Sequence, residues 1–292
     1  MEIAAIHRLA VLLGFEGLLE NAYDANHLAP VDAFLDVASA LSIAAVQMGQ
    51  FAQDIHAQYA EAVPWFVLGS GELTGVSSIM PQKRNPAALE QLRAQSSLML
   101  ADMHGVSLIS HNTRIGMFDY RMYDPVPCAR ALQVFKLLRQ VMGGLAVNKA
   151  RALAEVRADY STTTEIADAL MQKADVPFRI GHHFASKLTD YGRGNQLKIN
   201  DIPYAEAARI YREQTQQALP LSEEEFREVI SAEYMVFGRK GIGGPQIDEV
   251  NRMLGEARAG VAADAAWLTG AQEHLSRSAT ALEQLFLALA NK

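Results

Sequence analysis

The chain has 292 residues, half of them apolar and a fifth charged, which is the balance typical of a globular protein. It contains 46 alanines but only 30 glycines and prolines together, which favours helices and excludes collagen-like, disordered and all-β folds. Acidic residues outnumber basic ones by 33 to 26, and this net charge of −7 argues against a general nucleic-acid or anionic-membrane surface. The single cysteine, Cys128, excludes an internal disulfide and a cysteine-based zinc cluster.

The first part of the sequence predicts a long helix followed by a long loop. Residues 31–58 form an amphipathic run that begins after Pro30, a residue favoured at helix starts. We interpret its uncharged stretch between Asp36 and Asp54 as a buried helix rather than a membrane span, because serine and glutamine interrupt it. Residues 62–85 form a loop rich in glycine, serine and threonine, and loops of this length in compact domains are often functional.

Two further helices are predicted from their first residues. Asn85 and Pro86 predict a helix that runs to about residue 110, with Asn85 as its N-cap and Pro86 in its first turn. Asp124 and Pro125 predict a second helix, which ends at the glycine pair 143–144. Together with the helix over 31–58, these segments predict a bundle of long helices.

Shorter helices follow towards the C-terminus, before one last long helix. Ser222 and Glu225 match a capping box, which marks a helix start. Other helices are predicted over residues 162–173, 177–188, 203–217 and 246–289. The change in helix length predicts an all-α protein with a helical-bundle portion over 1–148 and a smaller helical C-terminal domain over 149–292.

The string Gly75–Pro86 (GVSSIMPQKRNP) is the part of the sequence that points to chemistry. It delivers Lys83 to the N-terminal end of a predicted helix, where backbone N–H groups, the helix dipole and the ammonium together favour a carboxylate or a phosphate. Ser77 and Ser78 add hydroxyl groups suited to proton transfer or nucleophilic attack. The alternative, from the pattern alone, is an ordinary capped helix beside a solvated lysine.

The decamer SSIMPQKRNP, residues 77–86, resembles the signature loop of the aspartase/fumarase superfamily. Gln82 directly before Lys83 is similar to the argininosuccinate lyase branch rather than to fumarases. Residues 7–24, 161–183 and 238–246 also resemble segments of that branch, so the likeness extends over nearly the whole chain. The resemblance implies a fold of long bundled helices of the aspartase/fumarase type.

The resemblance also implies an activity, the β-elimination of an amine from an N-substituted aspartate with release of fumarate. Ser77 is expected to be the base that removes the proton at Cβ. Lys83 and Asn85 are expected to bind the substrate carboxylate and to stabilise the carbanion, while Ser78 and Gln82 shape the loop or make secondary contacts. We expect no cofactor, no metal, a cytoplasmic location, and a small dicarboxylate or amino-acid substrate rather than a nucleic-acid or membrane partner.

Three departures from the family pattern qualify this expectation. Val76 replaces the glycine that precedes the first serine, with Gly75 one place earlier, so we expect altered loop geometry. Argininosuccinate lyases usually have an arginine shortly after the Asn-x-x-Asp segment that corresponds to residues 21–24. Residues 27–31 of this chain lack it. Residues 116–124 do not reproduce the residue set that reads the guanidinium end. We therefore expect the amine half of the substrate to differ from arginine.

Two other signature regions of the family, a Ser-Ser-x-x-Asn loop and a His-Thr loop, do not occur in this sequence. The resemblance implies a homotetramer in which three subunits build each active site, and this chain would contribute one of three pieces. The chain is then a fragment, or a separate chain supplies the other loops, or the protein is a helical scaffold without the chemistry. A dinucleotide- or ATP-binding module is excluded, because no glycine pattern or βαβ unit supports it.

Overall fold

A computed structural model describes residues 3–19, 21, 23, 31–60, 63–69, 71–80, 82–111 and 128–291. Helices dominate these ranges and the strands are only two or three residues long, so the predicted all-α class is confirmed. The helices are α1 (Ile3–Leu12), α2 (Asp32–Tyr59), α3 (Ala87–Ser110), α4 (Cys128–Gly144), α5 (Lys149–Ala158), α6 (Thr164–Ala174), α7 (Phe178–Gly194), α8 (Tyr204–Thr215), α9 (Glu223–Val229), α10 (Ala232–Phe237) and α11 (Ile247–Ala290). The strands are β1 (Phe66–Leu68), β2 (Gly75–Val76), β3 (Arg84–Asn85) and β4 (Leu145–Val147).

The chain divides into two compact units. One comprises residues 1–148 and 270–292, and the other comprises residues 149–269. Residues 270–292, predicted to lie in the C-terminal domain, thus belong to the first unit. The reason is that α11 is one continuous helix whose later part meets the segment after α1. There, the His274 ring nitrogen Nε2 lies 3.2 Å from the carbonyl oxygen of Gly14.

The first unit is built on the packing of α2 against α3, and α4 also packs against α3. Alanine and methionine on the inner face of α2 allow the helices to approach closely. The buried side chains of this core are Ala45, Met48, Ala52, Ile55, Leu68, Ala88, Leu89, Leu92, Met99, Ala131, Val134 and Val141. Among the described helices, α2 alone has the length and composition to cross a membrane, and its inner face packs as a core helix does.

A short antiparallel ribbon ties the segment after α2 to the end of α4. Strand β1 pairs with β4, with Phe66 opposite Val147 and Leu68 opposite Leu145. Two more backbone hydrogen bonds extend the ribbon, from Gly69 N to the Gly144 oxygen (2.6 Å) and from Asn148 N to the oxygen of Trp65 (2.7 Å). These backbone hydrogen bonds therefore fix the segment that leads into the glycine-rich loop.

The second unit contains helices α5 to α10 and has its own core. Phe184 on α7 meets Tyr211 on α8 edge to face, with ring centroids 5.1 Å apart. The predicted capping box at Ser222 is confirmed, because its Oγ accepts from Glu225 N (3.2 Å) and the Glu225 carboxylate accepts from Ser222 N (2.8 Å). The predicted start of a helix at Asp124 and the residue set 116–124 lie outside the described residues.

Candidate active-site hairpin

The signature loop is a β-hairpin that leads directly into α3. Strands β2 and β3 pair antiparallel, with Gly75 opposite Asn85 and Val76 opposite Arg84. Ser77 and Lys83 are the next residues beyond the last pair, one on each side of the loop. Paired residues of antiparallel strands lie on the same face, so Gly75 and Asn85 share one face of the paired segment and Val76 and Arg84 share the other. The three residues predicted for the chemistry thus belong to one hairpin, with Asn85 in β3 and with Ser77 and Lys83 in the loop that joins the strands.

The Ser77 hydroxyl organises the first turn of the loop. Its Oγ accepts hydrogen bonds from Ile79 N (3.3 Å) and from Met80 N (3.1 Å), and the side chain is half-buried. Lys83 N closes the other end by donating to the Met80 oxygen at 3.1 Å. Ser77 Oγ is the acceptor in both hydrogen bonds, so neither of them uses the proton of its hydroxyl group. Donors directed at an oxygen favour its anionic form.

The other predicted loop side chains point towards solvent. Ser78, Gln82 and Lys83 are exposed, and within the described ranges no hydrogen bond or ion pair involves the Lys83 ammonium. Arg84 differs, because its Nη1 donates to the Lys83 backbone oxygen at 3.0 Å. The Lys83 ammonium is therefore exposed and unpaired in the described structure, in the same loop as Ser77, and an ammonium of this kind is suited to bind an anion.

Asn85 does not cap the helix as predicted. α3 begins at Ala87 with Pro86 as its N-cap, and no side chain bonds to the first turn. Asn85 instead takes an extended conformation in β3, with its side chain against Gly75. A Cβ atom on Gly75 would lie 3.4 Å from the Asn85 Cβ and 3.7 Å from its Nδ2. The pairing of β2 with β3 therefore decides the conformation of Asn85, and its amide is left available for a ligand.

Val76, which stands where the family has glycine, lies in the extended strand β2. Gly14 and Gly243 are the glycines with a positive φ in the described part of the chain, and the non-glycine residues there with a positive φ are Asp175, Gln196 and Gln216. The backbone at residue 76 therefore needs no angle that is restricted to glycine. Val76 is therefore compatible with the extended backbone that this position adopts, and altered geometry in the rest of the loop remains a prediction.

A cluster beside the hairpin was not predicted from the sequence. The His56 Nε2 on α2 lies 3.9 Å from the Glu90 Oε1 on α3. One turn later, burial raises the pKa of Tyr59 above its ordinary value, and the nearby charge of Arg84 partly opposes that shift. These residues are far apart in sequence, so no local pattern indicated that they meet. Only the packing of α2 on α3 brings them together.

Within the described residues, no group of three or more His, Cys, Asp or Glu side chains is placed to hold a metal ion. The hairpin itself offers hydroxyl, ammonium and amide groups, which bind carboxylates rather than cations. Its chemistry is therefore that of an anion site with a candidate base. This is the chemistry expected for the elimination of a group next to a carboxylate.

Two family models match the chain. Residues 3–99 match the model described as Lyase, and residues 160–237 match the model described as Argininosuccinate lyase C-terminal. The chain is 30% identical over 261 residues to an argininosuccinate lyase of Bacillus subtilis, covering 87% of this chain and 53% of that protein. It is 28% identical over 289 residues to argininosuccinate lyase 2 of Agrobacterium fabrum, covering 97% and 56%. The chain thus spans about half the length of the curated relatives it matches.

Solved structures agree on the fold. The crystal structure of EDDS lyase in complex with formate matches with a TM-score of 0.81 at 22% identity, covering 95% of this chain and 55% of that one. A class II fumarase from Schistosoma mansoni matches with a TM-score of 0.54 at 19% identity, covering 81% and 48%. At these identities the solved structures show the fold, whereas the two family models and the argininosuccinate lyase relatives show the family. The chain belongs to the aspartase/fumarase superfamily and, within it, is similar to the argininosuccinate lyases.

Proposed function

We propose that this chain carries the serine–lysine hairpin of a carbon–nitrogen lyase that eliminates an amine from an N-substituted aspartate and releases fumarate. The observation that supports the proposal most is that one hairpin carries all three residues, with Ser77 and Lys83 directly beyond the last strand pair and Asn85 in β3. A serine base, an ammonium and an amide together suit a substrate whose proton is removed next to a carboxylate. The membership of the chain in a superfamily of lyases supports the same reaction class.

In the proposed reaction, Ser77 loses its hydroxyl proton to solvent, and the resulting Oγ anion takes the proton from the substrate Cβ. The electron pair of the broken C–H bond moves onto the adjacent carboxylate, where Lys83 and Asn85 bind the added negative charge. The pair then returns to form the double bond, the C–N bond breaks, and the amine leaves with a proton from solvent. A serine hydroxyl is a weak base. The two backbone N–H groups that donate hydrogen bonds to Ser77 Oγ support its role as the base, because they stabilise the Oγ anion.

We propose Ser78 and Gln82 as secondary substrate contacts, since both lie at the exposed tip of the hairpin. We also propose an amine half other than arginine. That part of the proposal rests on the sequence of residues 116–124, which does not reproduce the residue set that reads the guanidinium end in argininosuccinate lyases, and on residues 27–31, which lack the arginine of those enzymes. The experiment that tests it compares argininosuccinate, EDDS and other N-substituted aspartates as substrates of the same preparation.

We propose that the rest of the active site comes from other subunits of a homotetramer, or from a separate chain. Large apolar side chains on α11 support self-association, because Val261, Trp267 and Phe286 are each more than two-thirds exposed. Apolar surface of this kind on a long helix is typical of a face that packs on another helix. The predictions of a cytoplasmic location and of no nucleic-acid or membrane partner remain predictions.

The test is the release of fumarate, measured by its ultraviolet absorbance. The chain is assayed alone and together with any polypeptide encoded directly upstream of Met1, and its oligomeric mass is measured in both preparations. We expect fumarate from an assembled tetramer, with activity lost in Ser77→Ala and in Lys83→Met. An assembled tetramer that releases no fumarate from any N-substituted aspartate favours the helical scaffold instead. Ser97→Ala, which alters an exposed serine of α3 away from the hairpin, serves as the control.

A further inference from the structure

The second unit contains a cavity of about 340 Å³ that none of the hairpin residues lines. One wall is a face of α6, and the other is α10 with the segment that follows it. The polar side chains that line it are Glu165, Asp168, Gln172, Tyr234, Arg239 and Lys240. Its volume falls at the lower end of the range of small-molecule pockets, about 300–1,000 Å³. The cavity is therefore large enough for a small metabolite.

An ion pair between a buried carboxylate and an exposed arginine joins the two walls. The Glu165 side chain is 3% exposed, and its Oε1 accepts from Arg239 Nε at 2.9 Å and also from Arg239 Nη2. Because two donors of one guanidinium meet one buried carboxylate, both groups are neutralised and their positions are fixed. Gly238 adds a close contact, since a Cβ atom there would lie 2.8 Å from ring carbons of Tyr234. The ion pair thus links the two walls, and the glycine contact fixes the Tyr234 ring within one of them.

Two opposite charges in the same cavity, those of Asp168 and Lys240, make no hydrogen bond or ion pair in the described structure. Asp168 follows Glu165 by one helical turn and lies close enough to Arg239 to help raise the pKa of that guanidinium. In the described structure, no hydrogen bond or ion pair involves the carboxylate of Asp168 or the ammonium of Lys240. The four charged side chains sum to zero, so an ion of either sign alone would meet one attractive and one repulsive group.

We propose that this cavity binds a small zwitterion of the α-amino acid class. The ligand ammonium pairs with Asp168, and the ligand carboxylate pairs with Lys240, so both free charges are satisfied without a change in net charge. Gln172 supplies an amide, and Tyr234 supplies a hydroxyl that makes no hydrogen bond in the described structure. These two groups suit a ligand with a polar side chain. The site is separate from the hairpin and does not rest on the proposed function.

Three matched ligands test the proposal by calorimetry on the full chain. L-glutamine carries both charges, L-glutamine amide carries only the ammonium, and N-acetyl-L-glutamine carries only the carboxylate. We expect saturable binding of L-glutamine at concentrations up to about 10 mM, and binding of each single-charge analogue weaker by about tenfold or more. The absence of saturable binding, or equal binding of all three compounds, overturns the proposal.

Variants of the two free charges locate the binding. Asp168→Asn and Lys240→Met are each expected to weaken L-glutamine binding by about tenfold or more. The matched controls are Asp201→Asn and Lys198→Met, which change exposed side chains of the same unit outside the cavity and are expected to bind normally. Circular dichroism verifies that all four proteins are folded. Binding that survives both cavity substitutions also overturns the proposal, since the ligand then sits elsewhere.

Discussion

Replacing Gly181 by alanine tests the close approach of α6 and α7. Gly181 is buried on α7, and a Cβ atom there would lie 2.9 Å from the Cα of Ala167 and 3.2 Å from the Ala167 oxygen. Both are backbone atoms, so the clash is relieved only if the helices separate, which loosens the contacts of core residues such as Phe184. Overpacking of this kind costs about 1–3 kcal/mol, while alanine gains about 1 kcal/mol in helix propensity. We expect a net loss of about 1 kcal/mol in the free energy of unfolding.

Urea unfolding followed by circular dichroism measures this loss. Gly194→Ala is the control, because Gly194 ends the same helix and a Cβ atom there has nothing within 4 Å. Its free energy of unfolding should stay within about 0.5 kcal/mol of the parent value. If Gly181→Ala equals or exceeds the parent in stability, the helices do not approach as described, and the packing of this unit must be revised.

Three further substitutions probe separate features. Leu92→Ala leaves a cavity at a fully buried position of the α2–α3 core and should lower the free energy of unfolding by about 2–5 kcal/mol in urea titrations. Ser222→Ala removes the capping box and should cost about 1 kcal/mol in the same assay, whereas Ser222→Gly should cost less. Glu249→Gln tests a carboxylate whose pKa is lowered to about 2, chiefly by hydrogen bonds from Arg252 and then from Gly243 N. Because the folded pKa lies below the ordinary glutamate value of 4.5, the carboxylate stabilises the fold above about pH 4.5, and that stabilisation is lost as the pH falls towards 2. The parent should therefore be more stable than Glu249→Gln at neutral pH in thermal melts, and a difference that persists unchanged at acid pH would contradict this reasoning.

The sequence predicted the helices that depend on local signals. The helix predicted over residues 31–58 is α2, Asp32–Tyr59, because its apolar face repeats with the helical period and proline marks its start. The capping box at Ser222 was recognised for the same reason, since its two bonds join residues three apart. That helix, α9, ends at Val229, and the Ser231 hydroxyl then accepts from Tyr234 N and begins a new helix, α10.

Features that depend on distant residues were missed. Asn85 was predicted to cap a helix, and only its pairing with Gly75 shows that it belongs to a strand. The placement of residues 270–292 in the first unit depends on contacts such as that of His274 with Gly14, which are separated by most of the chain. The motif singled out the candidate residues of the hairpin, while the pairing of Gly75 with Asn85 and of Val76 with Arg84 is a register that the motif alone does not contain.

The proposed role of Ser77 is tested most directly by the rate of fumarate release from the assembled protein. Ser77→Ala removes the base and should lower the rate by at least about a hundredfold, while Ser78→Ala should lower it by less than about tenfold. Both variants should form the same oligomer as the parent, because both serines lie at the surface end of the hairpin rather than in the core. Equal rates for Ser77→Ala and the parent, with the oligomer intact, would contradict the assignment of the hairpin as the catalytic element.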